Sequence, residues 1–391
     1  MDYLFVEQVV VESEIESMQK KILFFISHQP NPRFVKQINF LAKTNKVSLA
    51  YFQRKTLANL DTSINAEVVS YNFGEIPNAS SPFKRIWTYM KTIGRIKKLI
   101  NTSSFDVVLV NNLDVLLLYV FSIFTFFGRK NKATVAIEIS DLRSYVFGTG
   151  FMAKRMRALE KRLYKKYIDK LIVTSKKYYT YHFEKFFTKD VFVLENKLLS
   201  QEIKKIETQG DSKTEKTIIG IIGLLLRKDE YVQLFETYKD DSKVEIHVHG
   251  KGQYQNVVEE YATKHGNITY FGPYNAFTDT QRIYESLDII YLVYDIDQVS
   301  LNNRLALPNK LYECMYYKVP LMCSKNTYLE EMVMEHGVGV SVEYKLPGEI
   351  KNGVDFLMKN ADQMKAHFAT LPENLYLGDD DYRKLESFLI E

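Results

Sequence analysis

The chain has 391 residues, so at about 150 residues per domain it should form two or three domains, and we expect two. Hydrophobic residues make up 46% of it and charged residues 26%, a balance typical of a globular protein with a sizeable core and not of a disordered one. The formal net charge is only +4, and two cysteines, Cys314 and Cys323, are too few for a disulfide framework or a zinc site.

The first half of the chain alternates apolar strands with helices. A strand at 22–26 precedes a helix with hydrophobic residues at helical spacing and then a second strand, an order that predicts parallel strands. Strands this uniformly apolar indicate a parallel sheet covered by helices on both faces. The predicted strands are 22–26, 47–52, 107–110, 134–139, 171–174 and 191–194, and the predicted helices are 34–44, 82–100 and 113–126.

Three loops that follow strands of this sheet are predicted to bind a ligand. They are 28–33, 111–114 and 138–145. In open α/β sheets ligands bind beyond the carboxyl ends of the strands, which is where these loops should lie. His28, in the first loop, is the histidine best placed for a chemical role.

A polar stretch at 202–216 predicts the connection between two domains, and a second α/β series begins at Ile218. Its predicted strands are 218–222, 245–249, 268–271, 289–293 and 320–324, and its predicted helices are 230–238, 257–264 and 311–316.

Glycines mark the ends of two strands in this second series. Gly223, Gly250 and Gly252 would allow the backbone to approach a ligand closely or to take a positive φ, although one glycine alone could simply form a turn. Arg227 and Lys228 in the first of these loops would add donors for phosphate oxygens.

The stretch 307–331 carries the strongest site prediction. Pro308, Asn309 and Lys310 form a turn into a helix, and Glu313 lies three residues after Lys310, so the two charged side chains share one helix face. Lys310 and the free amides of the helix start suit phosphate oxygens, and Glu313 suits a pair of ribose hydroxyls. The alternative is an exposed surface pair that contributes about 0.2 to 0.5 kcal/mol.

No metal or cofactor is expected. His247 and His249 are two apart on a predicted strand and face the same side, but no carboxylate or cysteine at ligand spacing completes a metal set. We also expect no nucleic-acid partner.

A basic stretch at 154–177 predicts a helix that could bind the surface of an anionic membrane, although such a charge run is usually only a solvated helix face. The most apolar segment, 115–127, is shorter than the roughly 20 residues of a spanning helix. The acidic start of the chain does not read as a secretory signal, and Met18 could be the functional start. We therefore expect a cytoplasmic protein that could also bind peripherally to the inner face of the cell membrane.

From Ile218 to about Val342 the sequence resembles the nucleotide-sugar-binding domain of GT-B glycosyltransferases, specifically the retaining family 4 type that builds capsular and exopolysaccharides. The resemblance rests on IIGLLLRK, VHGKG, ITYFGPY, SLDIIYLVY and above all LPNKLYECMYYKVPLMCS. The first half is similar more weakly, through KILFFISHQPNPR, FDVVLVNNLD and VAIEISDLRSY.

The resemblance implies an α/β protein of the GT-B type, with two Rossmann-like doubly wound domains facing a central cleft. The acceptor domain would span 1–200, with a helix at about 375–391 packing back on it, and the donor domain 201–374. Arg227 and Lys310 would bind the donor diphosphate, Glu313 the ribose, and the loop at Gly250 would lie near the base.

His28 and Asp141 would border the acceptor side of that cleft and are the candidate catalytic residues. The implied reaction is retaining transfer of a sugar from a nucleoside-diphosphate sugar to a saccharide acceptor, lipid-linked or free, in bacterial cell-surface polysaccharide synthesis.

Two departures keep other functions open. Family 4 members carry two glutamates eight positions apart, but Leu305 stands eight residues before Glu313, and the first strand is followed by HQPNPR in place of a glycine-rich turn. A non-catalytic transferase that scaffolds a polysaccharide assembly complex is one alternative. A sugar-nucleotide epimerase is another.

Overall fold

The computed structural model describes residues 19–54, 64–76, 82–125, 128–129, 133–203, 215–276 and 278–391. Met18 and most of the predicted connection at 202–216 lie outside these residues. The chain divides into two compact units, Met1–Leu194 with Asp381–Glu391 and Glu195–Asp380. The first part of the first unit ends at Leu194, whereas we predicted residue 200. The C-terminal segment that belongs to this unit begins at Asp381, whereas we predicted about residue 375.

The first unit is a seven-stranded parallel sheet with strand order β3-β2-β1-β4-β5-β6-β7. Its strands are β1 Lys21–Ile26, β2 Lys46–Gln53, β3 Val69–Glu75, β4 Val107–Val110, β5 Thr134–Ile139, β6 Lys170–Val173 and β7 Asp190–Val193. Its main helices are α1 Pro32–Leu41, α2 Pro82–Ser103, α3 Leu113–Ile123, α4 Ser144–Phe147 and α5 Phe151–Tyr167, and short helical turns at Lys176–Tyr178 and Tyr179–Phe183 follow β6. The last helix of the chain also belongs to this unit and is described below.

Local sequence explains where α1 begins. Asn31 accepts a hydrogen bond from the backbone of Phe34 at 3.0 Å, and Pro32 stands in the first helical turn, where its missing N–H costs nothing. Strand β3 was missed by sequence analysis because most of its residues are polar or exposed, as is usual for the edge of a sheet. The predicted helix 113–126 ends earlier, at Ile123.

A buried polar network lies between α1 and β5. Arg33 Nε donates to Glu138 Oε1 at 2.7 Å, Gln37 donates to the other carboxylate oxygen at 2.7 Å, and Arg33 also donates to the carbonyl of Leu194 at 2.6 Å. Glu138 has no solvent exposure. Although we predicted 138–145 as a ligand loop, Glu138 belongs to strand β5, and its oxygens bind Arg33 and Gln37.

The second unit is a six-stranded parallel sheet with strand order β10-β9-β8-β11-β12-β13. Its strands are β8 Thr217–Leu224, β9 Val244–Lys251, β10 Ile268–Gly272, β11 Ile289–Leu292, β12 Leu321–Ser324 and β13 Gly339–Val342. Its helices are α6 Lys228–Tyr238, α7 Gln255–Lys264, α8 Thr280–Glu285, α9 Leu301–Leu305, α10 Asn309–Tyr317, α11 Tyr328–Glu335, α12 Glu349–Lys359 and α13 Ala361–Phe368.

The final helix, α14 Asp379–Ile390, packs on the first unit. The ring of Tyr382 lies 5.4 Å from that of Phe40, and Phe388 lies 5.3 Å from Phe192, measured between ring centroids. The predicted α/β class is confirmed, with two doubly wound parallel sheets whose strand order reverses beside β1 in one unit and beside β8 in the other.

Candidate functional site

Helix α10 holds the charged pair that the sequence singled out. Pro308 is its N-cap with extended backbone, Asn309 is its first residue, and Lys310 Nζ lies 2.6 Å from Glu313 Oε2. Only 14% of the Lys310 side chain and 12% of the Glu313 side chain are exposed. The interpretation as an exposed surface pair is therefore wrong.

The end of α10 lies one residue beyond the predicted end at 316. The helix ends at Tyr317, and Lys318 adopts a left-handed φ of 60°. The N–H of Val319 then bonds back to the carbonyl of Cys314 at 3.0 Å, which closes the helix end.

Two tyrosines that sequence analysis missed enclose this pair. The ring centroid of Tyr284 lies 5.7 Å from Lys310 Nζ, and its hydroxyl donates to Glu313 Oε2. Burial alone would lower the pKa of Lys310, but the Glu313 carboxylate and the Tyr274 hydroxyl act in the opposite direction and leave it above the ordinary lysine value. Lys310 therefore stays charged.

Glu313 keeps one oxygen for a ligand. Both of its hydrogen bonds, from Lys310 and from Tyr284, go to Oε2, and within the described part of the chain no group donates to Oε1. A carboxylate oxygen in this state can accept a bond from a hydroxyl group.

Asn309 adds a second polar group at the helix start. Its Oδ1 accepts a hydrogen bond from Asn196 Nδ2 at 2.5 Å. The buried Oδ1 of Asn196 has no hydrogen-bond partner among the described residues. Asn196 was not predicted, and because it lies 113 residues before Asn309 no local pattern could have revealed it.

Arg227 lies at the N-cap of α6, with its guanidinium carbon 3.8 Å from the ring centroid of Tyr294. This stacking fixes the guanidinium plane, and it joins the loop after β8 to the loop after β11. Lys228 is the exposed first residue of α6. Among the described residues, no hydrogen bond or ion pair joins Arg227 or Lys228 to Lys310 or Glu313.

The predicted glycines have a structural reason. Gly223 and Gly250 lie opposite each other on β8 and β9, at φ values of 120° and 150°, so both belong to strands and not to the loops we predicted. A Cβ on Gly250 would lie 1.8 Å from the carbonyl oxygen of Gly223, and one on Gly252 would lie 2.5 Å from that of Leu225. Close packing between backbones thus explains the glycines at 250 and 252 without a ligand.

His28 and Asp141 both line a pocket of about 180 Å³ in the first unit. The pocket lies where the strand order reverses, since the loops after β1 and β4 both contribute to it. Its lining includes His28, Asn31, Phe34, Arg54, Asn111, Asn112, Leu113, Ile139, Ser140, Asp141, Leu142, Arg143, Tyr145, Val146, Glu160, Tyr164 and Phe183.

His28 has a defined protonation pattern in this pocket. Its Nδ1 lies 2.6 Å from the carbonyl oxygen of Gln29, which can only accept, so Nδ1 carries the proton. Burial lowers the pKa of His28, the bond to Gln29 opposes this, and the charges of Arg54 and Arg143 lower it further, for a net decrease. The ring is therefore neutral at pH 7, with Nε2 as a proton acceptor.

Glu160 and His182 organise one wall of the pocket. The Tyr145 hydroxyl donates to Glu160 Oε1 at 2.7 Å, and His182 Nε2 lies 2.5 Å from Glu160 Oε2. Sequence analysis missed this set, although Glu160 is the only acid in the basic helix α5 and is 2% exposed. A lone acid on the buried face of a basic helix was the available signal.

The described residues contain no group of three or more histidine, cysteine, aspartate or glutamate side chains that could hold a metal ion. His247 Nε2 lies 3.3 Å from Glu245, and the rings of His247 and His249 lie 5.1 and 4.5 Å from that of Phe271, measured between centroids. No helix in the described residues is both long enough and apolar enough to cross a membrane.

No protein-family model matches the sequence, and no curated protein matches it. Solved GT-B glycosyltransferases do share its structure. The lipopolysaccharide outer core galactosyltransferase WaaB has a TM-score of 0.64 at 13% identity, covering 94% of this chain and 99% of its own. The chain has a GT-B fold. Anabaena HepE, in complex with UDP and glucose, has a TM-score of 0.62 at 13% identity, covering 95% and 99%.

The GT-B fold is not confined to transferases. UDP-GlcNAc 2-epimerase from Neisseria meningitidis, bound to UDP-GlcNAc, has a TM-score of 0.61 at 12% identity, covering 95% of this chain and 100% of its own. At such low identities the comparisons establish the fold, and the reaction has to be argued from the residues.

Proposed function

We propose that this protein is a glycosyltransferase that moves a sugar from a nucleoside-diphosphate sugar, bound by the second unit, to a saccharide acceptor bound by the first. The observation that carries the proposal is the buried pair of Lys310 and Glu313 at the start of α10. A buried lysine and a carboxylate beside the free N–H groups of a helix start suit the phosphates and the ribose of a nucleotide-sugar donor.

The donor would be bound through its phosphates and its ribose. Lys310 and the free N–H groups at the start of α10 would bind diphosphate oxygens, and Arg227 would add a fixed guanidinium. Glu313 Oε1 would accept hydrogen bonds from ribose hydroxyls. Pro308 and Asn309 would set the angle at which the helix start meets the ligand.

The same groups would serve the reaction. When the bond between sugar and diphosphate breaks, negative charge grows on the leaving phosphate, and cationic groups already in place stabilise it without rearranging. We propose that these groups make a metal ion unnecessary and that the transfer retains the configuration of the sugar, as in family 4.

The acceptor would occupy the pocket of His28 and Asp141. His28 Nε2 can accept a proton or a hydroxyl hydrogen bond at pH 7, and Asp141 offers a carboxylate at the exposed mouth. Both groups can orient an acceptor hydroxyl for attack, which is the main task of a transferase once its donor is bound.

Calorimetric titration with UDP and with GDP tests the donor site directly. One of the two should bind, and its sugar conjugates should then be turned over with a suitable acceptor. If neither nucleotide binds, the proposal is wrong.

An epimerase remains a second candidate, because the epimerase structure has nearly the same similarity as the transferases. The two functions differ in what happens without an acceptor. Incubation of the protein with the donor alone should leave the sugar unchanged, whereas appearance of an epimer would replace our proposal.

A non-catalytic scaffold is the third candidate. Leu305 stands eight residues before Glu313, where family 4 members carry the first of their two glutamates. Leu305 is the last residue of the short helix α9. Transfer assays with and without the other enzymes of the pathway would separate the two functions. A working transferase would form product alone, whereas a scaffold would increase the amount of product only when the other enzymes are present.

Peripheral membrane binding through α5 fits a lipid-linked acceptor. Phe151 and Met152 at its start are 67% and 69% exposed, and the guanidinium of Arg155 lies 4.8 Å from the Phe151 ring. Exposed apolar residues beside basic ones suit the surface of an anionic bilayer. In liposome flotation, anionic vesicles should bind more protein than neutral ones. The double variant Phe151→Ser with Met152→Ser should bind anionic vesicles less. Equal binding to both vesicle types would contradict an electrostatic attachment through α5.

A further inference from the structure

We propose that the acceptor carries an anionic group, a phosphate or a carboxylate, which Arg54 and Arg143 bind in the pocket of the first unit. This inference rests on the proposed function and adds the chemical class of the acceptor to it.

The pocket is lined by two guanidinium groups. Arg54 follows strand β2, and Arg143 precedes helix α4, so two separate elements bring positive charge to one cavity. Arg143 donates one hydrogen bond to Asn112 Oδ1. A guanidinium has five N–H donors, so Arg143 retains donors for a planar, bidentate contact with an oxyanion.

The acidic groups around the pocket are bound by other side chains or lie at its mouth. Both Glu160 oxygens are engaged, one by Tyr145 and one by His182. Asp114 accepts a hydrogen bond from the Tyr89 hydroxyl at 2.8 Å and another from the backbone of Val115. Asp141 is exposed at the mouth, where a carboxylate is well suited to an acceptor hydroxyl.

The electrostatics at His28 agree with this geometry. Both arginines lower the pKa of His28, and each does so more strongly than Asp114 raises it. Two positive charges therefore act on His28, which lines the pocket. They would repel a cationic sugar and favour an anionic one.

The size of the pocket limits what enters it. Its volume of about 180 Å³ is below the roughly 300 to 1,000 Å³ typical of pockets that enclose whole small-molecule ligands. The pocket would thus receive only the end of an acceptor, a single charged group with its neighbouring hydroxyls. Asn111 and Asn112, whose side chains hydrogen-bond to Ser27 at 3.1 and 2.7 Å, hold the floor in a fixed shape.

Three related probes test the inference without knowledge of the acceptor. Glycerol, glycerate and glycerol 3-phosphate differ only in the group at one end, and ligand-observed NMR measures their binding at pH 7.5. We expect one or both anions to bind and glycerol to bind at least about tenfold more weakly, the loss typical of a missing charge-assisted contact. Preference between the two anions distinguishes a phosphate from a carboxylate, and either supports the inference.

Variants locate the binding. Arg143→Gln and Arg54→Gln should each weaken anion binding about tenfold, and Arg143→Lys should restore part of it. Arg162→Gln, on exposed α5 surface outside the pocket, is the matched control with the same change of charge. Lys310→Ala tests whether the probes bind at the donor site instead.

The inference is overturned if glycerol binds as well as the anions, if no probe binds, or if both pocket variants bind them unchanged. It is also overturned if Arg162→Gln or Lys310→Ala loses as much affinity as the pocket variants. UDP titration run in parallel separates this result from the proposed function. Nucleotide binding without anion preference rejects only the inference. Anion preference without nucleotide binding rejects the proposed function, and the two arginines then form an anion site that is not an acceptor site.

Discussion

Replacement of Lys310 and Glu313 one at a time by alanine should separate their two roles in donor binding. Lys310→Ala removes a charge-assisted contact to phosphate of roughly 1.5 to 3 kcal/mol, which corresponds to about 10- to 150-fold weaker binding of a nucleoside diphosphate. Glu313→Ala removes a ribose contact of similar size. The nucleoside without phosphates should then depend on Glu313 and be nearly indifferent to Lys310.

The structure adds a cost in stability to these substitutions. Each side chain is less than 15% exposed and bonds to the other at 2.6 Å, so each single variant leaves a charge without its partner. We expect each to lower the free energy of unfolding by about 1 to 3 kcal/mol. The double variant Lys310→Met with Glu313→Leu should lose less than the sum of the two, because neither charge is then left alone.

Competition binding with nucleoside, monophosphate and diphosphate, on variants first shown to be folded by circular dichroism, is the assay. The exposed pair Lys264 and Glu260 provides the control, since its atoms lie 2.5 Å apart but its side chains are 62% and 60% exposed. Alanine at either should change unfolding by no more than about 1 kcal/mol and binding not at all. Unchanged affinities in the Lys310 and Glu313 variants would remove the donor site from α10.

Three further substitutions test the fold around both sites. Glu138→Ala leaves Arg33 buried without its carboxylate and should cost about 3 to 5 kcal/mol in urea unfolding, against less than about 1 kcal/mol for Glu260→Ala; similar costs would contradict the role of burial. Burial lowers the pKa of His249 to about 4, and the charges of His247 and Arg282 add to the decrease. In the unfolded chain the pKa of this histidine is near 6.5. The contribution of neutral His249 to the free energy of unfolding is therefore fully present above pH 6.5, and up to about 3 kcal/mol of it is lost as the pH drops to 4. His249→Phe should flatten that part of the stability curve, and an unchanged curve would show that other groups cause it. Gly250→Ala should abolish soluble expression, since its Cβ would lie 1.8 Å from a carbonyl oxygen of the paired strand at a φ of 150°; a stable, folded variant would show that this close contact is absent.

Much of the framework could be predicted because its signal is local. Uniformly apolar strands such as Val107–Val110 and Thr134–Ile139 have the predicted boundaries, and the spacing of Lys310 and Glu313 on one helix face is enough to bring their charges together. Strand β3 carries no such signal, because its edge position leaves most of its side chains in water.

The environment of the sites could not be predicted, because it comes from distant parts of the chain. Tyr284 reaches Glu313 across 29 residues, and Asn196 reaches Asn309 across 113. With 27 tyrosines in the sequence, nothing marked Tyr284 as the one that covers the pair. Local spacing predicted which charges meet, and only tertiary packing shows that they are buried.

Helix α14 makes the first unit discontinuous, and this has a consequence for how the protein is made. Leu385 and Leu389 are fully buried, and Glu386 accepts hydrogen bonds from Thr44 and Asn45, so residues from the two ends of the sequence complete one core. On the ribosome, the second unit is finished before the segment that closes the first emerges. Until then the surface of the first unit that contacts α14 stays exposed to solvent. Chaperones and proteases should therefore bind a stalled or shortened chain at that surface, although most of the sheet is already synthesised.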